Sequence, residues 1–208
     1  MKPGLSTEEY LRNPCRASSL PFWKTEQFEI PESVCIYRED EFGKMLCSGA
    51  DEPYFRMIHL LQSVQYPRLP DDYILTKASI GEFADHILEC YTEESVTAEK
   101  LEACTHTQVY DPNLWIAIRE KATYKIVASG IGEFDDRIGE GILDWIQVTP
   151  DYRRRGLGQA VVCELIKRLS GKADFITVSG RMNNPCNPLA LYEACGFSNP
   201  VIWHIVTR

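Results

Sequence analysis

No stretch of this chain is apolar for the ~20 residues that a membrane-spanning helix needs. The opening residues, MKPGLSTEEYLRNPCR, hold no apolar run of the kind a secretory leader carries. Basic charge is in short supply: 22 Lys and Arg stand against 30 Asp and Glu, a formal net charge of −8. That balance argues against a broad nucleic-acid or membrane-binding surface. Repeats and low-complexity segments are absent. Cysteines are plentiful, but no two of the eight (15, 35, 47, 90, 104, 163, 186 and 195) stand two or four residues apart, so no zinc knuckle is spelled and no metal is expected. With no export leader, the expectation is reduced thiols in the cytoplasm, packed as small hydrophobes. The remaining composition, 44% hydrophobic, suffices for a core of one domain or one domain with an appendage.

Residues 1–70 read as a loop- and strand-rich extension. LRNPCRASSLPFWKT is punctuated by Asn-Pro and Ser-Leu-Pro and predicts an ordered loop or arm. SVCIYRED and YFRMIHLL have strand content. YPRLPDD, Tyr66 to Asp72, marks the boundary with a second part, 71–208. There, strand and helix signals alternate. YILTKA is a short strand, Ile80 to Tyr91 an amphipathic helix, and TAEKLEACT a second, short helix. LWIAIRE and YKIVASGIGEF form a hairpin across KATY, and EGILDWIQV is a third strand stopped by Pro150. Leu157, Val161, Leu165 and Leu169 recur every four residues and define a helix with Gly171 beyond its end. FITVSG is a buried strand. NPLALYEACGF is a short helix with Asn187 at the N-cap, Pro188 in the first turn and Gly196 past the end, and VIWHIVTR closes as a strand.

The segment TPDYRRRGLGQAVVCELI concentrates three arginines and two glycines between a strand and a helix. Helix N-termini present unpaired N–H groups, and glycine lets backbone approach a ligand, so the segment suits an anion, most naturally phosphate. A Walker-type loop is excluded because Gln159 and Ala160 follow Gly158. The dinucleotide fingerprint fails because Val161 occupies its third glycine position. What fits is Arg/Gln-x-x-Gly-x-Gly, written here Arg153-Arg154-Arg155-Gly156-Leu157-Gly158.

With DWIQVTPDYRRRGLG followed, one strand later, by Leu191-Tyr192-Glu193-Ala194-Cys195-Gly196-Phe197, the chain resembles the GNAT superfamily of N-acetyltransferases. The resemblance covers roughly Asp72 to Arg208. It implies a mixed α/β fold: a mostly antiparallel central sheet with splayed central strands, flanked by helices, here with an N-terminal extension. It implies acetyl-coenzyme A as co-substrate and an amine acceptor. The backbone of Ile146, Gln147 and Val148 would pair with the pantetheine arm. N–H groups from Arg153, Arg154, Arg155, Gly156, Leu157, Gly158 and Gln159 would hold the pyrophosphate. Tyr192 matches the family's general acid, which protonates the departing thiolate. Asp144 is the base candidate, being the only ionised group in the apolar run Ile142–Val148, and Glu140 shares its strand parity; an ordered water is the third option. The family's asparagine seven residues before the tyrosine is Pro185 here, so one of Asn183, Asn184 and Asn187 would bind the pantetheine or acceptor, or Asn187 would only cap the helix.

Cys186 has no histidine neighbour in sequence, and His204 reads as structural. The acids Glu133, Asp135, Asp136 and Glu140 of the hairpin suit either attraction of a cationic amine or a solvated turn. Phe22, Trp23 and Trp115 are available to line an acceptor pocket. The extension is read as a lid or a dimer arm, and a homodimer is compatible. A non-catalytic acyl-coenzyme A sensor or partner-binding module is the alternative function.

Overall fold

In the computed structural model, residues 5–43, 49–62, 67–91 and 95–208 are described; Cys47 and Tyr66 lie outside them. The elements run α1 (Thr7–Arg12), α2 (Pro14–Ala17), α3 (Phe22–Gln27), β1 (Val34–Arg38), α4 (Glu39–Phe42), β2 (Ala50–His59), β3 (Tyr73–Thr76), α5 (Ile80–Cys90) and α6 (Ala98–Cys104). They continue through β4 (Tyr110–Glu120), β5 (Ile126–Asp135), β6 (Glu140–Val148), a 3₁₀ turn (Pro150–Tyr152), α7 (Leu157–Leu169), β7 (Phe175–Arg181), α8 (Pro188–Ala194) and β8 (Ser198–Thr207). This is a mixed α/β fold in which the pairings β1–β8, β2–β7, β2–β8, β3–β4, β4–β5 and β5–β6 are antiparallel. It separates into two compact units, one of residues 1–60 with 175–208, the other of 61–174. Among the described residues no helix is long and apolar enough to cross a membrane, and the cysteines are free thiols.

In the first unit the strands lie in the order β1-β8-β2-β7, so β2 pairs with β7 on one side and β8 on the other. The expected loop at residues 11–25 instead takes part in three short helices. Ser6 and Glu9 close a capping box on α1, and the Asn-Pro of the expected loop starts α2: the Asn13 side chain accepts from the Arg16 N–H, with Pro14 in the first turn. These helices bury Tyr10, Cys15, Phe22 and Trp23. Arg56, 1% exposed, donates through Nη2 to the Tyr10 hydroxyl at 2.6 Å and to Thr177 Oγ1 at 3.2 Å. Trp203 Nε1 donates to the Cys15 carbonyl. Phe22 and Trp23 are therefore core residues rather than pocket lining.

His204 on β8 is sandwiched between carboxylates. Its Nδ1 meets Asp51 Oδ2 at 2.9 Å, its Nε2 meets Glu39 Oε2 at 2.5 Å, and its ring stacks on Phe42 at 3.8 Å. Burial alone would lower its pKa, but the Glu39 and Asp51 carboxylates outweigh that and raise it. A raised histidine contributes stability that is complete below its ordinary value of 6.5 and fades as pH rises through the raised one. The melting temperature should therefore fall across that rise in the native protein, and this component should vanish in His204→Gln, as read by calorimetry at a series of pH values.

The second unit is a β3-β4-β5-β6 meander. Alternation along β5 assigns its two faces. Ile131 packs with Phe83, Ile87, Leu101 and Trp115 under α5 and α6, so Trp115 too is core. Gly130 and Gly132 face α7 instead: a Cβ at Gly130 would sit 2.5 Å from Val161 Cγ1 and 2.9 Å from Ile146 Cδ1. Glycine there lets α7 lie close against the strand. In the hairpin, Glu133, Asp135 and Glu140 are buried and only Asp136 is exposed. Asp135 accepts from Arg137 Nε, Nη2 and the backbone N–H. The hairpin is thus not a solvated acidic turn.

Candidate active site

Strand β6 carries Glu140, Asp144, Ile146, Gln147 and Val148. Its register on β5 is regular from Asp135↔Glu140 to Ile131↔Asp144, so Glu140 and Asp144 share a face. The next bridge is Ser129↔Gln147, three residues along β6 for two along β5. The extra residue forms a bulge in which Trp145 takes φ +42°. Two contacts hold this conformation. Asp144 Oδ1 accepts the Trp145 N–H at 3.0 Å, and the Tyr91 hydroxyl donates to the Ile146 carbonyl at 2.9 Å. Tyr91 and Trp145 also meet edge to face. The bulge changes the parity of the residues beyond it: Gln147 rejoins the Asp144 face, while Ile146 turns towards Gly130 and α7.

Asp144 is partly exposed, while Glu140 has 0% exposure. Pro150 ends the strand in a 3₁₀ turn, and the chain enters α7 through Arg154 at φ +62° and Gly156 at φ +79°. Left-handed residues flanking Arg155 form a concave run of N–H groups, continued by the unpaired donors of the first turn of α7. A Cβ at Gly156 would meet nothing within 4 Å, so the cradle opens onto free space. All three arginines are exposed. Arg153 Nε donates to the Val148 carbonyl, and Arg155 donates to Tyr73 and the Asp151 carbonyl while lying 4.8 Å over the Tyr152 ring. Among the described residues the Arg154 side chain finds no hydrogen-bond or ion-pair partner, so its charge is directed to solvent or to a ligand. This donor set suits a pyrophosphate.

The other predicted residues belong to the first unit. Tyr192, on α8, is 5% exposed and packs edge to face on Phe55 and Phe197. Asn187 caps α8 by accepting from the Ala190 N–H, and Asn184 Oδ1 accepts from the Cys186 N–H. Both carboxamide oxygens thus have local work.

A group missed in sequence lies beside the bulge. His86, 3% exposed, places Nδ1 at 2.8 Å from Ser129 Oγ and Nε2 at 3.0 Å from Thr149 Oγ1; Gln147 Nε2 donates to Ser129 at 2.5 Å. Its signal was readable: His86 occupies the apolar stripe of α5 with Phe83, Ile87 and Cys90. Burial pushes His86 down to about 4 and the Cys90 thiol up to about 11. The two groups, 3.6 Å apart, are therefore both neutral near pH 7 and make no thiolate–imidazolium pair. Among the described residues no cluster of His, Cys, Asp and Glu is arranged to hold a metal.

Residues 111–199 match the family model of the acetyltransferase (GNAT) domain. The matched stretch is a little under half of the chain. The chain's fold is similar to that of a GCN5-related N-acetyltransferase from Sphaerobacter thermophilus (TM-score 0.65, 16% identity, covering 96% of this chain and 65% of that one). It is also similar to a Drosophila protein (TM-score 0.62, 17% identity, 90% and 66%). A third similar structure is the ribosomal-protein-S18-alanine N-acetyltransferase of Escherichia coli (TM-score 0.50, 22% identity, 65% and 93%). The chain thus spans just under two thirds of the length of the first two. No curated protein sequence matches it significantly.

A histidine lowered on folding is a liability in acid. The unfolded chain binds a proton near the ordinary value of 6.5, whereas the folded one refuses it until about 4. Stability is therefore retained above 6.5 and lost as pH falls through this window, by up to about 3 kcal/mol. Urea unfolding at stepped pH should show this loss in the native protein and not in His86→Gln.

Proposed function

We propose that the protein transfers an acetyl group from acetyl-coenzyme A to a primary amine of a small molecule or protein, by direct attack of the amine on the thioester. The observation that carries this reading is the bulged strand running through a left-handed Arg154–Gly156 turn into α7. Backbone donors of residues 153–159 would hold the pyrophosphate, with Arg154 adding charge. The backbone of Ile146–Val148 would align the pantetheine arm. A backbone N–H there would polarise the thioester carbonyl as negative charge develops on its oxygen.

Acid and base are assigned through the resemblance. Tyr192 would protonate the leaving thiolate. Asp144 would take the proton of the attacking amine, directly or through water. It is favoured over Glu140 because it alone of the two is open to solvent. The carboxylate also accepts the Trp145 N–H, which fixes its position. The acceptor is left at the level of an amine. The S18-alanine enzyme acts on a protein amine, which is one member of the class proposed here.

Calorimetric titration with acetyl-coenzyme A, with ATP and NAD as controls, tests the reading. Selective, saturable binding is expected, followed by mass-spectrometric detection of acetylated product from an amine panel. Absence of binding would overturn it. Gly156→Val, which forces a branched residue into a left-handed conformation, should weaken acetyl-coenzyme A binding by about tenfold or more. Tyr192→Phe should lower kcat by about 10²-fold while leaving that affinity in place. Asp144→Asn retains an oxygen for the Trp145 N–H, so the strand should keep its shape. The rise of rate with pH should nevertheless be lost; an unchanged profile would assign the base to water or Glu140.

A further inference from the structure

The C-terminal half of α5 holds a polar group that the proposed chemistry does not use. His86 is buried, yet both its ring nitrogens are engaged, one by β5 through Ser129 and one by Thr149 at the end of β6. The Ser129 hydroxyl proton selects the tautomer. Gln147 Nε2 donates to one lone pair of Ser129 Oγ; were His86 Nδ1–H to fill the other, the Ser129 proton would have no acceptor among the described residues, whereas a bare Nδ1 receives it. Nδ1 is then the acceptor, and Nε2 carries the proton and donates to Thr149 Oγ1. The amide orientation agrees. Gln147 Oε1 is the buried atom left without a protein partner. The reverse orientation would strand an N–H₂ donor instead, a rarer outcome in folded proteins than an under-satisfied oxygen.

Thr149 stands where this chain of bonds meets the phosphate turn. Its N–H donates to the Val127 carbonyl at 3.0 Å, and its own carbonyl accepts the Tyr152 N–H at 2.9 Å. The side chain is the third tether, and His86 holds it. Tyr91, the residue that caps the end of α5, holds the Ile146 carbonyl. The end of this helix therefore fixes both ends of the segment Ile146–Thr149.

We propose that His86 is a positioning residue for coenzyme A: as a neutral Nε2–H imidazole it sets Thr149, and through it the start of the Pro150–Gly156 turn, in the geometry that receives the phosphates. The inference rests on the acetyl-coenzyme A reading above. It assigns to the buried histidine no contact with substrate.

The test compares two ligands on the intact protein by calorimetry: acetyl-coenzyme A, and S-acetylpantetheine, which lacks the phosphates. Replacing His86 by Ala, or Thr149 by Val, should weaken acetyl-coenzyme A binding about five- to tenfold, the worth of one aligned hydrogen bond. The double variant should be no weaker than either alone, because both remove one tether. His86→Gln, whose amide can reach Thr149, should recover most of the affinity. Acetylpantetheine should bind all variants alike. Ring nitrogen chemical shifts of the native protein should show a protonated Nε2 and a bare Nδ1. Should the Ala variant fail to fold, Thr149→Val carries the same comparison.

Native affinity for acetyl-coenzyme A in both single variants overturns the positioning role while leaving the proposed function standing. So does an equal loss for both ligands, or a protonated Nδ1. No binding of acetyl-coenzyme A by the native protein overturns the proposed function itself, and the inference with it.

Discussion

The second unit depends on one extra residue in β6. Three residues of that strand span the distance that two cover on β5, and Trp145 absorbs the mismatch in a left-handed conformation. For a bulky residue this conformation costs on the order of 1–3 kcal/mol and persists only where its surroundings over-determine it. Asp144 and Tyr91 supply that determination through the Trp145 N–H and the Ile146 carbonyl. Because side chains alternate along a strand, the same extra residue reassigns everything after it. Gln147 and Thr149 point to α5, where Ser129 and His86 meet them. Ile146 points to α7, above a glycine that has no side chain to collide with it. A strand without the bulge would send Gln147 into the apolar α7 face.

Local signals in the sequence were readable wherever they were chemically specific. The four-residue recurrence of Leu157, Val161, Leu165 and Leu169 gave α7 its observed limits, and Asn187, Pro188 and Gly196 framed α8. At residues 11–25 the same kind of punctuation was misleading. Asn-Pro marks the end of one helix and also the cap of the next, and only the burial of Tyr10 and Cys15 decides between loop and helix. The left-handed turn between β6 and α7 was legible because glycine and arginine are unusual at a strand–helix junction. The bulge was not legible, since nothing in Asp-Trp-Ile-Gln marks an unpaired residue. It is defined by the count on the opposite strand. His86 could have been found as the polar member of an apolar stripe, but its partners lie 43 and 63 residues away.

Two of the buried histidines show how one residue type takes opposite roles. His204 lies between two carboxylates and is held towards its charged form. His86 is met by hydroxyls and held neutral. Desolvation acts in the same direction on both. The difference is whether a neighbour offers negative charge or only a dipole.

Strand β2 lies between β7 and β8, antiparallel to both, with Arg56 opposite Ser179 and Val201. Its sheet thus joins residues near the start of the chain to residues more than a hundred positions later. Within the meander of β3 to β6 the pairings join strands consecutive in sequence. On a ribosome the two units therefore face different schedules. The second can close as soon as residue 174 has emerged. The first must keep Phe55 and Met57 from aggregation until the final strands arrive, a wait set by synthesis at roughly 5–20 residues per second.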